Sequence, residues 1–235
     1  MSRNIDYKEM YDLRAHAIGL EDGKDRYTFK LIQKYISSND LVLDLGCGRG
    51  SILNPLVSKG VNAIGFDYSS SNVKLLQQAG RKVILGNATK PLPFNQNSFH
   101  VVICYEFLEH FKLDDIHNIL DNIYRILKPN GYLFFTVPKK EKLKTGAVSC
   151  PQCKHIFHHW GHMTSFDDDL IKYLLAKHRF TIKKIMSIYG ATLYKIGIPL
   201  FVIKLLSNFE LKFKQVNKTL ANYLVIAKRT AASNT

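Results

Sequence analysis

Acidic side chains are scarce in this chain. Its 19 Asp and Glu face 33 Lys and Arg, which leaves a formal net charge of +14. That balance disfavours cationic partners and favours a polyanion: nucleic acid, anionic lipid or a phosphorylated substrate. The lysines are scattered with no long basic run, so a solvated lysine surface is an equally good reading. Cysteine is also sparse, at 4 residues, and the opening residues 1–12 carry no apolar core of a secretory leader. A disulfide framework is therefore not expected, and the cytoplasm is the expected compartment. Long apolar runs are missing too. The longest, residues 196–206, contains Gly197, Pro199 and Lys204. A membrane-spanning helix needs about 20 residues. No transmembrane segment is expected, which leaves a packed helix, a pocket cover or peripheral membrane contact.

What the chain does have is enough apolar material for a core, 46% of 235 residues, and a regular alternation of elements. Short apolar runs ending in glycine or a carboxylate predict strands at 41–45, 61–66, 82–85, 98–104, 132–137, 180–186 and 223–228. Helical spacing occupies residues 1–36, 51–59, 70–79 (capped by Ser69 or Ser70), 114–127 and 167–177. Strands alternating with helices predict an α/β fold: a doubly wound, seven-stranded, mostly parallel sheet, with ligands bound beyond the carboxyl ends of the strands. The expected organisation is a single domain over 1–235. It comprises an N-terminal helical cap (1–36), a ligand-binding core (38–138), an inserted Cys/His arm (139–166) and an apolar insertion (189–216).

The strand-to-helix turn Asp44-Leu45-Gly46-Cys47-Gly48-Arg49-Gly50 lets a ligand approach the backbone closely. Asp44 precedes the glycines, where a carboxylate repels a pyrophosphate but attracts an amino group. Asp67 ends the next strand and can accept both ribose hydroxyls. In Gly86-Asn87-Ala88 the Asn87 amide can meet an adenine edge and Ala88 can offer its backbone amide. These features fit a ligand with an amino-acid end, a ribose and an adenine, without phosphates.

The segments VLDLGCGRG (42–50), GFDYS (65–69), GNATKPLPF (86–94), FHVVICYEFLEHF (99–111) and ILKPNGYLFFTVP (126–138) resemble the class I S-adenosylmethionine-dependent methyltransferases of the small-molecule type. The resemblance implies the Rossmann-like methyltransferase fold and S-adenosylmethionine as cofactor. It implies cofactor contacts from Asp44, Gly46, Cys47, Gly48, Gly50, Asp67, Tyr68, Asn87, Ala88, Tyr105 and Glu106. Asn87 departs from the family's usual aspartate, so altered adenine contact is expected. The sulfonium is already electrophilic, so the protein mainly aligns the reacting atoms and removes a proton. His110 and Glu106 are weak candidates for that base. Tyr7 and Tyr11 are candidates to close over the site.

Residues 150–162 hold two cysteines, four histidines and the chain's one tryptophan. Cys150, Cys153, His158 and His162 make a complete set of zinc ligands. The two histidines are four apart, which on one helical turn would point them the same way, and His155 is an alternative to His158. The spacing is too compact for a DNA-reading finger. Four protein ligands predict a structural zinc that orders the arm as a wall of the acceptor pocket.

The expected function is methyl transfer to a small-molecule or lipid-linked metabolite. Two alternatives stand beside it: an RNA-modifying methyltransferase, suggested by the +14 charge, and a non-catalytic binding protein that keeps the fold.

Overall fold

The computed structural model describes residues 23–189 and 221–230. Tyr7, Tyr11, most of the expected cap and nearly all of the apolar insertion lie outside the described residues.

The first described helix, α1 (Gly23–Ile32), runs into a 3-10 turn at Gln33–Tyr35. Then come β1 (Leu41–Leu45), α2 (Leu53–Ser58), β2 (Asn62–Asp67), α3 (Ser70–Gln78), β3 (Val83–Leu85) and β4 (Phe99–Tyr105). A 3-10 turn at Leu108–His110 leads to α4 (Leu113–Ile126) and β5 (Leu127–Pro138). A short hairpin follows, β6 (Ala147–Ser149) and β7 (Ile156–His158), and then α5 (Asp168–Lys177), β8 (Phe180–Tyr189) and β9 (Ala221–Arg229).

The main sheet has seven strands in the order β3-β2-β1-β4-β5-β9-β8. β9 runs antiparallel to both its neighbours, and the other pairings are parallel. The expected doubly wound, mostly parallel sheet is therefore present. Strand periodicity explains why it is covered on both sides. In β4, Val101 and Ile103 pack with Ile32, Leu53, Leu56, Val73 and Leu76 on one face. Their neighbours Val102 and Cys104 pack with Ile116, Ile119, Leu120, Ile123 and Leu174 on the other. The buried positions of α4 recur at helical spacing, Ile116, Ile119, Leu120 and Ile123, which is the stripe a sheet-covering helix needs.

Local signals set most boundaries. Ser69 caps α3 by accepting the Asn72 amide, and Asp167 caps α5 by accepting the Leu170 amide. β5 begins at Leu127, five residues before the expected start. The Arg125 and Ile126 carbonyls accept the amides of Asn97 and Ser98, so the chain is already paired to the sheet's neighbourhood there. The arm departs further from expectation. It contains a two-stranded antiparallel ribbon with Ala147 opposite His158 and Ser149 opposite Ile156. Its two ends meet: Lys139 pairs with Phe166, and the Lys140 amide donates to the Phe166 carbonyl at 2.8 Å.

Candidate active site and comparisons with known proteins

The glycine loop leaves β1 at the carboxyl edge of the sheet. Gly46 (φ +76°), Gly48 (φ +50°) and Gly50 (φ +88°) all take left-handed backbone. The amides of Gly46 and Cys47 both donate to the Phe66 carbonyl. A Cβ on Gly46 would lie 2.1 Å from the Phe107 ring, whereas one on Gly48 would meet nothing within 4 Å. The loop is thus closed against the segment after β4 at Gly46 and open at Gly48.

Asp67 joins the loop to β2. Its carboxylate accepts the Gly48 amide at 2.7 Å and the Ser69 amide at 2.9 Å. Burial pushes its pKa up, and those donors oppose the rise. Asp44 has the more demanding environment. It is 1% exposed and neither carboxylate oxygen has a hydrogen-bond partner among the described residues. Burial, reinforced by the Asp67 charge, pushes its pKa up to about 7, while the nearby Leu53 amide pulls the other way. A buried carboxyl in this state calls for a cationic or hydrogen-donating ligand.

The remaining expected cofactor residues divide. Cys47 is buried beside Gly65, and burial pushes its thiol well up. Ala88 is buried in the core, and Tyr68 is exposed just past β2. Asn87 stands in the turn after β3, where its side-chain oxygen accepts both the Thr89 amide and the Thr89 hydroxyl at 2.9 Å. An Asn at a turn readily grips the backbone two residues on. Tyr105 donates its hydroxyl to Asp25 of α1. Glu106 has φ +47°, and its carboxylate oxygens accept from the Asn222 amide group at 2.8 and 2.7 Å. Glu106 is therefore anchored to β9. Asp25 and Asn222 carried no local signal in the sequence, because each meets its partner across 80 or more residues.

The expected four-ligand metal set is not one cluster. Cys150 and Cys153 occupy the tip of the hairpin, closed by the bonds Cys150 N to His155 O and Lys154 N to Cys150 O. His158 sits at its base, paired with Ala147. Among the described residues neither cysteine joins a group of three or more convergent ligand atoms. The two histidines do converge, with ring centroids 4.7 Å apart. They do so without the expected helical turn, because the chain reverses at Gly161 with φ +73°. Their shared partner is Glu141, which the sequence reading passed over. His162 Nδ1 lies 2.6 Å from one Glu141 oxygen, and His158 Nε2 lies 3.6 Å from the other. Burial raises the Glu141 pKa, but the hydrogen bond to His162 and the neighbouring imidazoles outweigh it and hold the carboxyl below its ordinary value. His110 faces the same base of the arm, its ring edge-on to His162 at 5.0 Å.

Comparison with known proteins meets this geometry. Residues 43–135 match the family described as a methyltransferase domain. The ubiquinone biosynthesis O-methyltransferase of Rickettsia conorii is 30% identical over 139 residues, 54% of this chain and 47% of that protein. An uncharacterised protein of Methanocaldococcus jannaschii is 28% identical over 193 residues, 82% of this chain and 78% of that one. A chain in the complex between the Haloferax volcanii Trm112 methyltransferase activator and the putative methyltransferase superposes with a TM-score of 0.70. It is 19% identical and covers 98% of this chain and 99% of that one. At that identity the likeness shows the fold. The chain spans about half the length of the Rickettsia relative. The fold is thus that of the class I S-adenosylmethionine-dependent methyltransferases.

Proposed function

We propose that this chain transfers the methyl group of S-adenosylmethionine to a small-molecule or lipid-linked acceptor. The observation that carries the reading is Asp44, a buried carboxyl without a partner among the described residues, at the foot of an open glycine loop. The ligand's ammonium supplies the missing charge. Asp67, tied to Gly48, stands where the ribose hydroxyls fall, and the open face of Gly48 leaves room for the ligand. The named activity of the Rickettsia relative, O-methylation in ubiquinone biosynthesis, supports an acceptor of this class. So does the arm, where Val148, Ile156 and Trp160 expose apolar surface suited to an apolar acceptor or the membrane that holds it. A structural zinc on Cys150, Cys153, His158 and His162 finds no support in the hairpin's geometry.

The test is calorimetric titration with S-adenosylmethionine and S-adenosylhomocysteine. Binding of both, weakened by Asp44→Asn or Asp67→Ala with the fold intact, supports the reading. Absence of binding in the folded wild type overturns it in favour of a non-catalytic binding protein. A second reading, RNA modification, draws on the +14 charge and on Lys139, Lys140, Lys142, Lys144 and Lys154 of the arm. Tight RNA binding that weakens steeply with salt would favour it.

A further inference from the structure

The arm is fixed at its base and exposed at its tip. Lys139 pairs with Phe166 at the root, and the Glu109 carbonyl accepts the amides of Met163 at 2.7 Å and Thr164 at 3.2 Å. The imidazoles and carboxylates that converge around the arm, Glu109, His110, Glu141, His158 and His162, all stand at this base. Beyond them the ribbon runs to Ser149 opposite Ile156. Residues 151–156 are all exposed, and the turn they belong to carries two thiols that methyl transfer does not employ. Cys150 is half-buried and Cys153 exposed.

This turn is built round the sulfur of Cys150. Lys154 N donates to Cys150 O and Cys150 N donates to His155 O, both at 2.9 Å. The backbone amides of Gln152 and Cys153, and the Cys153 thiol, all bond to the Cys150 sulfur, so the two sulfurs share one side of the turn. Amides held on a sulfur are the kind of outer support that orients a metal-binding thiolate. Lys154 takes left-handed backbone, φ +59°, a conformation that costs a lysine about 1 kcal/mol relative to glycine. Strain of this kind persists where the surroundings fix it, and it clusters at functional turns.

Two thiolates are half of the tetrahedral set that a soft ion such as Zn(II) takes. No imidazole or carboxylate of the described residues joins them. The His155 ring lies along Phe157 instead, with centroids 6.5 Å apart and planes 14° from parallel. The chain's other cysteines, Cys47 and Cys104, are buried in the core. Two further thiolates can therefore come only from another molecule. Apolar surface flanks the turn as well: Ile156 is 68% exposed and Val148 41%. A partner seated on the tip would cover both.

We propose that the Cys150–Cys153 turn is a half-site for one soft divalent metal ion, completed by the same turn of a second copy of this chain. One ion held by four thiolates then joins two arms tip to tip. The contact is isologous, each copy offering the other the same turn and the same Ile156. Each thiol gives up its proton on binding, so four protons leave per ion. Four thiolates and a dication carry a net charge of minus two, and Lys154 of each copy stands beside it to balance that charge. The bridge is independent of the methyltransferase reading, because it leaves Asp44 and the glycine loop untouched.

The test uses the full chain, reduced, stripped with chelator and titrated anaerobically with Co(II) and Zn(II). Absorption should show thiolate-to-cobalt charge transfer with the intense d–d bands of a tetrahedral sulfur site, saturating at about half an equivalent of metal per chain. Sedimentation velocity should show Zn(II) converting monomer to dimer, and chelator reversing it. Cys150→Ser/Cys153→Ser should abolish both signals with an unchanged circular dichroism spectrum, and His155→Ala should alter neither. Ile156→Asp should weaken the zinc-bridged dimer about tenfold or more, from loss of its apolar burial. One equivalent of metal bound by a monomer, a cobalt spectrum of nitrogen or oxygen ligands, or a dimer that persists in chelator or in the cysteine pair would each overturn the proposal. So would the absence of metal binding to the reduced protein.

Discussion

Glu106 and Asn222 are joined by two hydrogen bonds, 2.8 and 2.7 Å, across 116 residues. The strand-end carboxylate is thereby fixed to the antiparallel strand β9, while its own amide donates to Thr136 of β5 at 2.9 Å. Asn222→Ala removes the donor from a partly buried carboxylate. The expected loss is about 1–3 kcal/mol of stability, the range for a hydrogen bond to a charged group. Urea denaturation of the two proteins measures it. Asn222→Asp should cost more, because it sets two carboxylates together.

Asp44 makes cofactor binding pH-dependent. Its folded pKa of about 7 lies above the ordinary 3.8. Its contribution to the stability of the ligand-free protein is therefore full below about pH 4 and is lost as pH rises through about 7. A ligand ammonium favours the ionised form, so the sign reverses for binding. Affinity for S-adenosylmethionine should fall as pH drops below about 7, by at most about tenfold per unit. Calorimetry between pH 5.5 and 8.5 measures the slope, and Asp44→Asn should flatten it while lowering affinity throughout.

Two alanine substitutions in the glycine loop should separate folding from binding. Gly46→Ala forces a Cβ to 2.1 Å from the Phe107 ring at φ +76°, and a loss of about 2–4 kcal/mol is expected from overpacking plus left-handed strain. Gly48→Ala meets open space at φ +50°. It should cost about 1 kcal/mol of stability yet weaken cofactor binding sharply, because the new methyl group occupies the space left for the ligand. Thermal melts paired with titrations give both readouts.

The four thiols should react in two classes. The Cys153 and Gln152 amides, with the Cys153 thiol, hold the Cys150 pKa down at the hairpin tip. Burial pushes Cys47 and Cys104 well up inside the core. With reagent in the native state, Cys150 and the exposed Cys153 should be modified rapidly, and the buried pair only on unfolding. Mass spectrometry of partly alkylated protein tests this. Equal labelling of all four would contradict the fold described for β1 and β4.

The sequence shows the core because its signals are local. The run 41–45 ends in Asp44 and three glycines within ten residues, and Ser69 caps the following helix with its own side chain. The arm is different. Cysteine spacing suggests a metal set, but the register of Ser149 opposite Ile156 puts Cys150 and Cys153 at the tip and His158 at the base, with Cys150 about 10 Å along the ribbon from His158 at the usual rise per strand residue. Glu141 and Glu109 reach His162 only after the chain folds back from β5, and no short-range pattern encodes that return. Asn87 is held by a purely local bond instead: its oxygen accepts from Thr89, two residues on.

Lys139 and Phe166 face each other across the root of the arm. The chain therefore enters and leaves this excursion at one point, and the sheet's ladder continues past it through Lys139 N to Ala221 O at 2.9 Å. Met163 and Thr164 tie the returning strand of the arm to the Glu109 carbonyl as well, so the part open to exchange is the hairpin tip, residues 150–155. Changing the length or chemistry of that tip is a direct way to alter the arm while β5, β9 and the glycine loop stay in place.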